Sequence, residues 1–209
     1  MATTLPRHMT RSRTCVGKRA SGHRVDCSSG HGMRRISLPL IRIGTRPGRR
    51  SQGFLFAGAL ALPVALGRSG IRADKREGDG GTPRGHFRPL RLWWRADRLP
   101  RPRTLLPVRR ICPTDAWCED PADRRYNRAI KRSASEPGDR LRRTDHLYDI
   151  IVEIDHNTRP RVSGRGSAVF IHLTRPAYGP TAGCVALKKR DLRILLQRLS
   201  SKTRILIRS

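Results

Sequence analysis

Acidic residues are scarce in this chain. Sixteen Asp and Glu stand against 45 Lys and Arg, and lysine is itself rare, so that 39 of the bases are arginine. The formal net charge of +29 calls for an anionic partner: nucleic acid, or a surface such as a bacterial cell wall or membrane. Aromatics are also few, at 5%, and none alternates as a base-stacking platform does, which argues against nucleic acid as the primary partner. The arginines are scattered through every segment and gather on no single helix face or tail. No apolar run reaches the roughly 18 residues of a membrane span; the longest, Phe54 to Leu66, has thirteen. There is no C-x-x-C, and Cys112 and Cys118 are too loosely spaced for a zinc half-site, so no metal centre is expected. The five cysteines (Cys15, Cys27, Cys112, Cys118, Cys184) form an odd set; a Cys15–Cys27 or Cys112–Cys118 bridge is open, and nothing in the sequence favours either.

What is present reads as one domain with an extension, since 209 residues suffice to bury a core. Residues 1–32 are polar, basic and without apolar period, and read as a disordered extension; the domain is assigned to 33–209. Ile36 to Ile43 is a short strand that Pro39 places near an edge, followed by a turn at Thr45-Arg-Pro-Gly48. Phe54 to Leu66 follows Arg49-Arg50 and has the flavour of an export-signal core, but it lies deep in the chain; strand, turn near Gly58 or Pro63, and strand is the favoured reading. Gly67 to Gly85 is a loop, Phe87–Trp94 and Thr104–Val108 are strands, and Asp115 to Asn127 is polar and irregular. Tyr148–Ile154, Ser167–Leu173 and Thr203–Ile207 are further strands. Between Lys188 and Ser200, Leu192, Leu195, Leu196 and Leu199 recur at helical spacing. The fold class is mainly β, a sandwich or barrel-like sheet pair with one clear helix.

The segment richest in chemistry runs from His172 to Leu187. It sets an imidazole and a thiol twelve positions apart across a Pro/Gly-rich turn. His172 ends an apolar, β-branched run, and Cys184 sits between Gly183 and Val185-Ala186-Leu187. Strand, tight loop and second element can bring both side chains to one face, as a cysteine nucleophile and its general base require. The bland alternative for His172 is a hydrogen-bonded core residue, and the cysteine block weighs against it. His146 and His156 flank a strand and belong at its ends, outside the site.

These residues also carry a resemblance. Gly166-Ser-Ala-Val-Phe-Ile-His172 with Pro180-Thr-Ala-Gly-Cys184-Val-Ala-Leu resembles the catalytic motif of the L,D-transpeptidase (YkuD-type) domain, in its proteobacterial single-domain branch. Gly80-Gly-Thr-Pro-Arg-Gly-His-Phe87, Trp117 to Asn127 and His146-Leu-Tyr-Asp149 extend it upstream. The resemblance implies a mainly β sandwich with a helix after the cysteine, Cys184 as nucleophile and His172 as general base and acid. Backbone N–H groups of Gly183 and Cys184 would meet the oxyanion. Thr181, Tyr178 and Arg175 are candidate substrate contacts, each with a structural alternative: turn bonding for Thr181, solvated loop side chains for the others. No cofactor is implied. The partner would be peptidoglycan stem peptides and the place the cell envelope or periplasm, with no clear signal peptide; a cytoplasmic enzyme is the alternative. A hydrolase using the same pair, and a non-catalytic basic binding module, are the competing functions. Ala182 and Ala186 stand where many members carry His and Arg.

Overall fold

The computed structural model describes residues 37–132 and 139–209. The extension assigned to 1–32, the domain start at 33, and Cys15 and Cys27 lie outside the described residues.

Strands β1 (Leu40–Arg46), β2 (Arg49–Ala57) and β3 (Leu60–Ala65) form an antiparallel meander. The most apolar run of the chain is therefore its second hairpin, which turns at Gly58, where φ is +63° and a residue without Cβ meets no strain. Pro63 stays within β3. β4 (Ile71–Arg72) and β5 (Thr82–Pro83) pair in parallel within the long Gly-rich loop. β6 (Gly85–Phe87), β7 (Pro89–Trp94) and β8 (Val108–Arg110) follow, so the strand expected at Thr104 begins only at Val108. The Asp115–Asn127 segment, read as irregular, opens with β9 (Asp115–Cys118), all four residues buried. β9 is the centre of a small sheet between β10 (Arg128–Lys131) and β11 (Asp139–Arg140). Burial of Trp117 and the pairing of both β9 edges override the local polarity. β12 (Ile150–Ile154), β13 (Phe170–Leu173) and β14 (Val185–Leu187) lead to the helix α1 (Lys189–Leu196) and to β15 (Arg204–Ile207).

The main sheet has ten strands in the order β6-β15-β1-β2-β3-β14-β13-β12-β7-β8. β6 stands at one end of that order and β7 next to the other end, yet only Arg88 separates them in the chain. The sheet must curl until its two ends approach, and the fold is a large curled sheet with, among the described residues, one α-helix late in the chain, mainly β as expected. Arg88 is held at this corner by Asp155, whose side chain accepts from the Arg88 N–H and whose own N–H donates to the Arg88 carbonyl.

Curling corrects one expectation. β1 is an interior strand between β15 and β2, because Pro39 precedes it and contributes only its carbonyl, to the Arg204 N–H. Ile41 and Ile43 are buried inside. The period-2 alternation of β12, β13 and β14 then divides the interior in two. Ile150, Val152, Ile171, Val185 and Leu187 face the main core, which Leu192, Leu195, Leu196 and Leu199 cover. Ile151, Phe170 and Cys184 face a second, aromatic cluster with Trp93, Trp117 and Tyr148. Glu153, buried in β12, accepts from Trp93 Nε1 at 2.8 Å and pairs with Arg91 at 3.1 Å. Cys112 and Cys118 are both free thiols, so the bridge left open between them is not formed. No helix among the described residues is long and apolar enough to cross a membrane.

An interior β1 makes Ile41→Ala a core truncation. It should lower the unfolding free energy by about 2–5 kcal/mol in a urea titration; a loss below about 1 kcal/mol, typical of exposed surface positions, would return β1 to the periphery.

Candidate active site

β13 and β14 pair in parallel, with Ile171 opposite Val185 and His172 opposite Ala186. Residues opposite one another share a sheet face, and residues two apart on a strand share it again. Cys184, two positions before Ala186, therefore lies on the face of His172, one strand over, while Ile171 and Val185 turn to the core. The expectation that strand, loop and second strand bring the two side chains to one face is met by this register, with β14 a strand rather than a helix start.

Both groups are buried, His172 to 6% exposure and Cys184 to 7%. The Cys184 thiol donates to the Ala168 carbonyl at 3.1 Å, and its sulfur accepts from the Phe170 N–H at 3.3 Å. Ala168 has φ +49°, which ends the strand expected from Ser167 and turns its carbonyl toward the sulfur. His172 Nδ1 lies 2.8 Å from the Leu173 carbonyl. A carbonyl only accepts, so Nδ1 carries the proton and Nε2 keeps its lone pair. Tyr148 meets the imidazole edge-on, with ring centroids 5.3 Å apart, and its hydroxyl donates to Asp139. Burial pulls His172 down to about 4, against the Leu173 carbonyl, and nearby Arg143 and Arg175 lower it further. Burial pushes Cys184 up to about 12, with Asp139 and Glu119 adding to the rise and the Phe170 N–H opposing it. At neutral pH the resting pair is uncharged.

The loop before the cysteine is built by two threonines. Thr181 Oγ1 accepts from the Gly183 N–H at 3.1 Å and donates to the Cys184 carbonyl at 2.7 Å. Its backbone bonds to Leu66 and Arg68 moor the loop on the end of β3. Thr82, fully buried, accepts from the Gly67 N–H at 2.8 Å and reaches the same Cys184 carbonyl at 3.5 Å. Gly183 has φ +146°, and a Cβ there would meet the Gly81 carbonyl at 2.8 Å. Glycine is required by conformation and by contact alike. The Gly183 N–H, expected as an oxyanion donor, is committed to Thr181, whereas the Cys184 N–H donates to no described residue.

Cys184 and His172 border a cavity of about 290 Å³ that Arg68, Arg143 and Arg175 also line. Arg175 is thus at the site, and its guanidinium makes no ion pair among the described residues. Arg143 is paired with Asp145 at 2.7 Å. Thr181 lines the cavity as well, though its hydroxyl is spent on the turn. Tyr178 does not line it; its ring packs under Lys188 Nζ at 5.4 Å. His146 and His156 stay outside, the first bonded to Asp149 and the second to the Arg165 carbonyl. Ala186 and Ala182 leave open wall where longer side chains would stand. Arg68, Arg143, Tyr148 and Thr82 escaped the sequence reading as site residues. Among 39 arginines no local signal separates two, and only Thr82 and Tyr148 fell in recognised stretches. Among the described residues no cluster of His, Cys, Asp and Glu is arranged to hold a metal ion.

The family model for the L,D-transpeptidase catalytic domain, YkuD, matches residues 56–207. Comparison with curated proteins and with solved structures gave no significant match. The matched span begins late in β2 and contains both cavity-lining loops and the Cys184 block.

The buried neutral pair shapes stability. His172 falls from its ordinary 6.5 to about 4, so in that interval the unfolded chain binds more protons and stability drops as pH falls. Cys184 rises from 9.0 to about 12, so above 9.0 the unfolded chain releases a proton that the fold retains, and stability drops as pH rises. Denaturant titrations across pH should show both limbs, and Cys184→Ala should flatten the alkaline one; an unchanged alkaline limb would contradict the buried neutral thiol. Gly183→Ala, forced into a φ region and a contact that alanine resists, should cost about 1–3 kcal/mol in the same assay.

Proposed function

The chain belongs to the family of L,D-transpeptidase catalytic domains, and from that premise we propose that Cys184 and His172 catalyse acyl transfer between peptidoglycan stem peptides through a thioester. The observation that supports this reading is the β13–β14 register, which sets the Cys184 thiol and the His172 imidazole on one face beside an arginine-lined cavity. The substrate polymer is anionic, in keeping with a net charge of +29.

With the proton on Nδ1, Nε2 of His172 takes the thiol proton as the sulfur attacks a stem-peptide carbonyl. The resting thiol lies near 12 and the imidazole near 4, so a free thiolate–imidazolium pair is disfavoured and proton transfer accompanies attack. The Cys184 N–H receives the developing oxyanion, a donor worth about 3 kcal/mol in acyl transfer. His172 returns the proton to the leaving amine of the terminal D-residue, and the thioester remains. Arg175 and Arg68, at the cavity wall, meet the carboxylate of the donor stem. An amine of a second stem then accepts the acyl group; water in its place makes the same site a carboxypeptidase. Such chemistry serves wall biogenesis and cell shape from the envelope.

Incubation of the purified protein with a disaccharide tetrapeptide ending in D-Ala should yield an acyl adduct on Cys184, read by intact-protein mass spectrometry, and a cross-linked product. Cys184→Ala should give neither. His172→Ala should slow adduct formation by about 10²–10⁴-fold, the range of a general base. Binding of wall fragments with no adduct in the wild type would instead favour a non-catalytic basic module.

A further inference from the structure

No acidic residue occurs between Asp26 and Asp74, and none after Asp191. These two stretches meet in the fold as β15, β1, β2 and β3, and β6 beside them is also free of Asp and Glu. Five consecutive strands of the sheet therefore carry no carboxylate side chain. Their outer face is apolar as well. An exposed sheet face ordinarily bears polar residues at alternate positions, but here Leu40, Phe54, Phe56, Ala61, Pro63 and Leu206 occupy them. Pairing sets these in rows, Leu206–Arg42–Phe56–Ala61 and Gly44–Phe54–Pro63. Phe56 is 47% exposed and lies against Phe54, with ring centroids 6.2 Å apart. At Leu40 and Leu206 the face opens into a crevice of about 520 Å³ that Lys202, Arg204 and His86 also line, with no acid. Arg42, Lys202 and Arg204 form no ion pair among the described residues. Asp155 adjoins His86 and Arg204 in the next crevice, where its side chain accepts from the Arg88 N–H.

We propose that this face docks on an anionic phospholipid bilayer, with Phe54 and Phe56 entering the interface and Arg42, Arg204 and Lys202 meeting the phosphate headgroups. The proposal is independent of the acyl-transfer reading. Peripheral binding to a bilayer sums the apolar area buried and the attraction of cations to anionic lipid, and this face supplies both. A guanidinium pairs with phosphate in a fork while its stem lies along apolar surface. Charge rules out two other occupants. Residues 1–36 hold eight Lys and Arg against one Asp, and a second copy would present the same basic face, so both are repelled. Nucleic acid would match the charge, but a stacking surface needs rings free for successive bases, and here the two rings pack on each other amid aliphatic neighbours. The same sheet face continues to the site. Gln52, two residues before Phe54, lies opposite Ala65, Ala65 opposite Ala186, and Ala186 opposite His172. Gln52 Nε2 also donates to the carbonyls of Ala177 and Tyr178 at 3.2 and 3.4 Å. A bilayer on this face thus borders the loop that leads to Cys184.

The test uses the full chain and sedimentation with vesicles of phosphatidylcholine, alone or with a quarter phosphatidylglycerol. The protein should sediment with the mixed vesicles and far less with the neutral ones. Phe54→Thr with Phe56→Thr leaves the net charge unchanged and keeps β-branched residues at strand positions; it should weaken binding to the mixed vesicles about tenfold. Binding that ignores this change reduces the attraction to net charge and overturns the proposal. Phe56→Trp provides a second readout that needs no loss of apolar surface. Trp93, Trp94 and Trp117 are buried, so brominated acyl chains should quench only the new ring, and an unquenched Trp at position 56 overturns the insertion. A single-stranded oligonucleotide whose binding falls tenfold with the same double substitution would make this a nucleic-acid face instead. A dimer in solution that Phe56→Thr dissolves would make it a contact between copies.

Discussion

The parallel pairing of β13 with β14 is the contact on which the rest of the site depends. Parallel strands cannot be joined by a tight hairpin, so the chain between Leu173 and Val185 must cross over before it pairs. That crossover carries Arg175, Thr181 and Gly183 to the cysteine. The register His172–Ala186 fixes which residues face the cavity and which face the core; a one-residue slip would bury His172 against Leu192 and expose Val185. The apolar alternation on the other face, locked by α1, is what forbids the slip. The geometry of the His172–Cys184 face is thus secured by hydrophobic packing on the opposite side of the same strands.

Burial has a second consequence. A thiol and an imidazole kept this dry are both neutral, and a neutral thiol is a poor nucleophile. The fold compensates by position: Ala168 and Phe170 orient the sulfur, Leu173 sets the tautomer, and the threonine pair holds the Cys184 carbonyl away so that its N–H stays open. Strain is concentrated in the same place, at Ala168 and Gly183, where φ is positive. Strained backbone next to a nucleophile persists only when its surroundings over-determine it, and here Thr181, Thr82 and Gly81 do so.

The charge is organised, although its distribution along the chain hides that. Carboxylates are few, and several are consumed in tying arginines: Asp149 to Arg98, Asp97 to Arg95, Asp145 to Arg143. Arg68 and Arg175 stand at the cavity wall without an ion pair among the described residues.

By itself the sequence determined the mainly β class, the late helix, a hairpin within Phe54–Leu66 with its turn at Gly58 or Pro63, and His172 and Cys184 as the candidate pair. Each depends on local pattern: β-branched runs, leucines at helical spacing, a glycine at a turn, a histidine and a cysteine flanking a loop. Tertiary structure decided what rests on distant partners. It made β1 interior although Pro39 read as an edge signal, because curling brings β15 alongside; it made Asp115–Cys118 a buried strand although its neighbourhood is polar, because two other strands pair with it. It spent the Gly183 N–H on Thr181, left Tyr178 outside the cavity, and drew Arg68 and Arg143 into it from 116 and 41 positions before Cys184. No spacing rule reaches that far, since only the folded sheet sets which loops share a wall.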